Sequence, residues 1–214
     1  MTRIVDVSLG IRPDMLVWPG DPPVEIAPLS RIADGAAFNV SLVRLGTHTG
    51  THIDPPVHFL NGAATLDGVP LDVLYGTTFV ADARGLRGAL GPDELASFAV
   101  PEGTERLLMR SDNSDLWRQD HPTFPDEYVC LGAEGARWVV EKGIRLVGVD
   151  FLSIEGRGAQ GHPVHVELLS NGVVIVEGLD LGAVERGTCT LSVFPLKITG
   201  GDGGPARAVL LVED

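Results

Sequence analysis

Residues 46–59 read Gly-Thr-His-Thr-Gly-Thr-His-Ile-Asp-Pro-Pro-Val-His-Phe. Three of the chain's six histidines, His48, His52 and His58, fall within this segment, far more than chance would put in so short a window. Asp54 adds a carboxylate. Imidazole and carboxylate are the ligands of zinc, manganese and iron sites, and no cysteine lies nearby. That donor set points away from a closed structural zinc knuckle and toward a catalytic site with an open position. Gly50 lets the backbone bend between His48 and His52. His52 and Asp54 are two apart, so in an extended chain they face the same side. Pro55-Pro56 then blocks a helix and stiffens the next step. The spacing makes His48, His52 and Asp54 the candidate ligands. It leaves His58 on a separately held segment, as the candidate for proton transfer.

A complete site needs donors from elsewhere in the chain. His165 lies in a short helix expected over 163–170, with Leu168 and Leu169 turned to the core. From there it can point into a site. Glu177 ends the apolar run Val173–Val176, where a carboxylate is costly unless it is paired or binds a cation. His121 sits in a polar loop and reads as a surface residue. Trp18 sits in the Pro-rich loop Trp18-Pro19-Gly20-Asp21-Pro22-Pro23. It either caps a core edge or lines a pocket for an aromatic substrate.

Composition sets the frame for these residues. A chain of 214 residues is the size of one domain, expected here to span 1–214. Hydrophobic residues make up 44%, charged residues 21%, and the mean hydropathy is +0.17, which rules out disorder. Twenty-nine acidic residues against 16 basic give a net charge of −13. Such a surface repels nucleic acid and anionic membranes. No run approaches the length of a membrane span, and Asp6 falls where an export signal needs apolar residues. A cytoplasmic protein with Cys130 and Cys189 reduced is expected. The glycine-rich turn 200–204 lacks the following helix of a phosphate loop, and there is no Gly-x-Ser-x-Gly elbow.

Strand patterns are expected at Arg3–Leu9 (half-buried), Val24–Ser30, Phe38–Leu45, Gly76–Ala83, Arg106–Arg110, Arg145–Val149, Val173–Val176, Thr188–Thr199 and Ala206–Val212. Helices are expected at Pro92–Phe98, at Gly132–Lys142 with Gly143 as its stop, and at 163–170. Strands outnumber helices, so the expected fold class is α/β, β-rich, in a single compact domain.

The segment His48–Phe59 resembles the His-x-Gly-Thr-His-x-Asp-x-Pro-x-His-Phe signature of the cyclase family of metal-dependent hydrolases. That family includes bacterial kynurenine formamidases (arylformamidases), some of them dedicated to tryptophan breakdown, and isatin hydrolases. Trp18–Asp21, His165–Leu169, Glu177–Leu179 and Gly201–Arg207 resemble further family segments, so the likeness spans nearly the whole chain. Val149–Gly156 is closer to the broader cyclase group than to the dedicated formamidases. The resemblance implies a swivelling β/β/α fold and one or two divalent ions, zinc or manganese. One ion would be held by His48, His52 and Asp54. Asp54 would bridge to a second, held with His165 and Glu177. His58 would be the general acid/base and Trp18 would sit at the substrate pocket. A small aromatic amide is the implied substrate, an aryl formamide first and a cyclic amide of the isatin type as the alternative. A homodimer or higher homo-oligomer is implied. The reading from another class is a metal-dependent small-molecule binder without turnover. The spare imidazole of His58 argues against it.

Overall fold

The short apolar runs and glycine-rich turns fold into strands that close on themselves. This architecture is seen in a computed structural model that describes residues 1–213. In chain order, β1 (Thr2–Asp6), β2 (Glu25–Ser30), β3 (Val40–Arg44) and β4 (His52–Asp54) come first. They are followed by β5 (Tyr75–Asp82), β6 (Ala89–Leu90), α1 (Pro92–Ser97), β7 (Arg106–Arg110) and β8 (Cys130–Leu131). Next come α2 (Ala133–Glu141), β9 (Leu146–Val149), α3 (Pro163–Ser170) and β10 (Val174–Glu177). Then β11 (Gly187–Pro195) and β12 (Gly204–Glu213) close the chain.

Seven strands form a ring in the order β4-β12-β11-β5-β7-β9-β10 and back to β4. The arc β5-β7-β9-β10 is parallel, and the other pairings are antiparallel. The ring closes through β4, three residues long, which pairs with β10 on one side and with Gly204–Pro205 of β12 on the other. The far end of β12 carries β1 outside the ring. The pair β2-β3 stands apart as a two-stranded ribbon, and β6-β8 forms a second small sheet.

Strand alternation divides the core in two. Ile53, Val80, Leu108, Leu146, Val174, Val176, Leu191, Val193 and Leu210 fill one cluster, inside the ring. Leu107, Met109, Val147, Val149 and Ile175 point the other way, into a second cluster with Leu95 of α1, Val139 of α2 and Leu168 of α3. The helices start where their residues dictate. Pro92 opens α1, and Glu94 accepts the Gly91 backbone N–H at 2.9 Å, which ties the helix start from one side. Gly143 (φ 71°) ends α2. Among the described residues no helix is long and apolar enough to cross a membrane.

The fold is the single, β-rich α/β domain expected, and α3 has the expected bounds. Three local expectations change. The opening strand ends at Asp6, and its side chains are mostly exposed rather than half-buried, because β1 lies on β12 outside the ring with nothing over it. The strand expected to run to Thr199 ends at Pro195, and Leu196–Gly203 form the turn before β12. Pro55-Pro56 does not prevent helical geometry. Pro56 occupies the first position of a 3-10 turn, Pro56–His58, where its missing N–H has no partner to lose.

Candidate metal centre

The register of β4 against β10 builds the centre. Asp54 lies opposite Ile175, Ile53 opposite Val176, and His52 opposite Glu177. Ile53 and Val176 point into the ring. His52, Asp54 and Glu177 therefore share its outer face. The first turn of α3 lies over that face and adds His165. Gly50 (φ 68°) turns the chain back between His48 and His52, as the spacing required. At the same bend Gly178 (φ 67°) passes so close that a Cβ on it would lie 2.1 Å from the Gly50 carbonyl oxygen. The Thr51 hydroxyl ties the crossing by donating to the Gly178 carbonyl at 2.5 Å.

All six polar residues singled out in the sequence converge. His52 donates its Nδ1–H to the Gly50 carbonyl at 2.9 Å, which fixes the tautomer and turns Nε2 inward. Nε2 then lies 3.3 Å from both Asp54 Oδ1 and Glu177 Oε2. His48 places Nδ1 2.8 Å from Asp54 Oδ1. His165 Nε2 lies 3.3 Å from Glu177 Oε1 and 3.9 Å from Asp54 Oδ2. The His58 ring stacks on His48 with centroids 3.9 Å apart. His121 is on the surface.

Asp54 is fully buried, as are His52 and Glu177 to within a few per cent. Charges so placed need a compensating cation. Burial alone would lower the His52 pKa, but Asp54 and Glu177 override it and hold it at about 10. Burial likewise opposes the charge on His165, and Glu155 and Glu177 raise it to about 10. Burial works against the Asp54 carboxylate too, yet His48 and His52 keep its pKa well below the usual range. For His58 burial dominates, and with His48 and His165 it pulls the pKa below 6.5. Asp54 Oδ2 and His52 Nε2 are both buried without a hydrogen-bond partner. A divalent cation of the zinc, manganese or iron class would take the place of the His52 Nε2 proton and accept the inward lone pairs of the carboxylates. His52, Asp54 and Glu177 present ligand atoms within 4.8 Å of one another, as do His48, Asp54 and His58.

Two residues had no role assigned from the sequence. Glu155 is buried and accepts the Val164 N–H at 2.7 Å. Its other oxygen lies 3.0 Å from His165 Nδ1 and 3.1 Å from His162 Nδ1. It thereby aims His165 Nε2 at Glu177 and Asp54, as a supporting carboxylate does for a ligating imidazole. The readable signal was an acid directly after Phe151-Leu152-Ser153-Ile154, a segment apolar but for Ser153. Phe59 stacks on His165 with centroids 4.3 Å apart and meets His58 edge-on. Glu155→Gln is expected to weaken divalent-ion affinity by ~10–100-fold, because the carboxamide has one acceptor oxygen for three facing donors. Chelator competition with zinc measures this, and unchanged affinity would remove the supporting role.

The centre opens into a cleft of about 190 Å³ lined by Trp18, Asp21, His48, His58, Phe59, Leu152, His162 and Glu177. Trp18 thus faces the cleft, and it also packs edge-on against Phe124 at 5.1 Å. The two roles left open for it coexist.

The Cyclase family model matches residues 5–156. A kynurenine formamidase of Erythrobacter litoralis (strain HTCC2594) is 33% identical over 211 residues, covering 97% of this chain and 93% of the relative. A solved structure described as a predicted metal-dependent hydrolase from Bacillus stearothermophilus is 32% identical, with a TM-score of 0.84 over 99% of this chain and 98% of that one. Isatin hydrolase A from Labrenzia aggregata, bound to benzyl benzoate, shares the fold at 24% identity, with a TM-score of 0.87 over 100% of this chain and 94% of its own.

Proposed function

The chain belongs to the cyclase family of metal-dependent hydrolases, and on that premise we propose that it cleaves the C–N bond of an aryl formamide. The observation that carries this reading is a spare imidazole, His58, stacked on half-buried His48 beside the buried His52, Asp54 and Glu177, in a cleft walled by Trp18. His48, His52 and Asp54 would hold one divalent ion, and Asp54, His165 and Glu177 a second where two bind. When bound, such an ion supplies Lewis acidity, polarising a carbonyl and making a coordinated water acidic near neutral pH. Zinc and manganese both suit this donor set.

The protein's own part is proton handling and positioning. Burial keeps the His58 imidazole neutral near pH 7, the form that accepts a proton. In hydrolysis, water oxygen bonds to the formyl carbon and one water proton passes to the free ring nitrogen of His58. As the C–N bond breaks, His58 returns that proton to the departing nitrogen, giving formic acid, which then ionises to formate by releasing its proton to solvent, and an aryl amine. Trp18 offers its ring face to the aryl group.

The test is ultraviolet-monitored turnover by zinc- or manganese-loaded protein. N-formylkynurenine should be cleaved faster than an alkyl formamide. Turnover of isatin alone would move the reading to cyclic amides. No turnover of any aryl or cyclic amide would leave a binding protein. Trp18→Ala should raise KM roughly 5–10-fold with little change in kcat, since a ring stack of ~1 kcal/mol acts equally in ground and transition states. An unchanged KM would leave Trp18 only its packing on Phe124.

A further inference from the structure

His162 lines the cleft and has no part in the chemistry described above. Its ring is held from two sides. Nδ1 lies 3.1 Å from Glu155 Oε2, the oxygen that also faces His165 Nδ1 at 3.0 Å. Phe59 lies across the ring with centroids 4.8 Å apart. A carboxylate only accepts, so the hydrogen of the neutral imidazole is on Nδ1. Nε2 is then a bare lone pair, and it has no protein partner among the described residues. The side chain is 54% exposed, so this imidazole is displayed rather than packed away.

The backbone is bent to display it. His162 has φ 50° and ψ 54°, the left-handed region, directly before Pro163. That region is uncommon for a residue with a Cβ, and a residue before proline is biased toward extended backbone. Glu155 compensates, because its other oxygen accepts the Val164 N–H at 2.7 Å and clamps the first turn of α3 to the same carboxylate.

The other walls decide what Nε2 can read. Among the described residues no lysine or arginine lines the cleft. Trp18 and Leu152 are apolar, and His48, His58, His165 and Glu177 belong to the centre. The Ser153 hydroxyl oxygen already accepts the Glu155 N–H at 3.2 Å. The two side-chain groups left without a protein partner are both acceptors, His162 Nε2 and the Asp21 carboxylate. An aryl ring carrying an O–H or N–H group matches such walls. A ring carrying only an acceptor sets lone pair against lone pair.

We propose that His162 is a specificity-determining residue whose Nε2 accepts a hydrogen bond from a hydroxyl or amino group on the aryl ring of the substrate. The inference rests on the aryl-amide reading and narrows it to donor-bearing rings.

The test compares ortho, meta and para hydroxyformanilide with the matching methoxyformanilides on the metal-loaded enzyme. At the ring position that reaches His162, the hydroxyl compound should show the higher kcat/KM by ~3–10-fold. His162→Asn should bring that ratio close to unity. Its shorter amide keeps a donor for Glu155 and suits the left-handed backbone, but has no atom at the Nε2 position. His162→Gln reaches that position with an acceptor oxygen and should restore part of the ratio. The ratio cancels any loss common to both compounds. Nitrogen NMR of histidine-labelled wild type covers the case in which the variants do not fold. The His162 Nε2 resonance should move upfield with the hydroxyl compound and stay in place with the methoxy one. A wild-type ratio near unity at every ring position overturns the proposal and leaves the formamidase reading standing. A ratio that survives His162→Asn also overturns it and passes the recognition to Asp21. No turnover of any formanilide ends the formamidase reading instead. The hydroxyl-to-methoxy ratio of binding affinities, measured by calorimetry, then decides the role of His162, and a value near unity overturns it.

Discussion

Asp54→Asn should lose its divalent ion and its activity together. Asp54 sits at the centre of the constellation, touching His48 at 2.8 Å and His52 at 3.3 Å through one oxygen while the other faces His165. The amide keeps the shape and removes the charge. Deleting one partner from a buried charge cluster costs ~3–5 kcal/mol, or roughly 10²–10⁴ in metal affinity. Elemental analysis after gel filtration should show substoichiometric metal, and kcat should fall to background. His52→Ala should behave in the same way. Wild-type metal content and turnover in Asp54→Asn would end the metal reading of this centre.

His58→Ala separates holding the ion from moving the proton. His58 stands on the 3-10 turn Pro56–His58, its ring stacked on His48. An amide nitrogen leaves poorly unless it is protonated, and loss of a general acid–base typically costs ~10²–10⁴ in rate. The variant should keep wild-type metal stoichiometry and fold while kcat falls by ~10² or more. His48, Asp54 and His58 do place ligand atoms within 4.8 Å of one another, so a metal-depleted His58→Ala protein would make His58 a ligand and the acid another group.

The centre was legible in the sequence where local rules decide it. Two-residue spacing put His52 and Asp54 on one face, and a glycine bend brought back His48. His165 and Glu177 were visible as polar groups at the edges of apolar segments, where an unpaired charge is expensive. Glu155 carries the same signal but needs the partner geometry of α3 to give it a role. Ring closure was not readable. β4 is three residues long, and its partners lie more than a hundred residues away, on β10 and β12. The half-burial expected of β1 failed for a related reason. Alternation marks a strand but does not say whether anything lies against it.

The three residues of β4 are also the clasp of a hoop. Ile53 carries the hydrophobic half of the fastening inward, and His52 and Asp54 carry the electrostatic half outward, so neither half forms without the other. Fastening the hoop and assembling the ligand set are one event. An ion that binds only the closed form stabilises the entire barrel by RT ln(1 + [L]/Kd), ~4 kcal/mol at a thousandfold excess over Kd. On the proposed metal reading, the melting temperature of this protein should rise with divalent-ion concentration and so gauge how full the centre is. A change at Gly204, where β12 meets Ile53, reaches the proposed metal ligands without touching them.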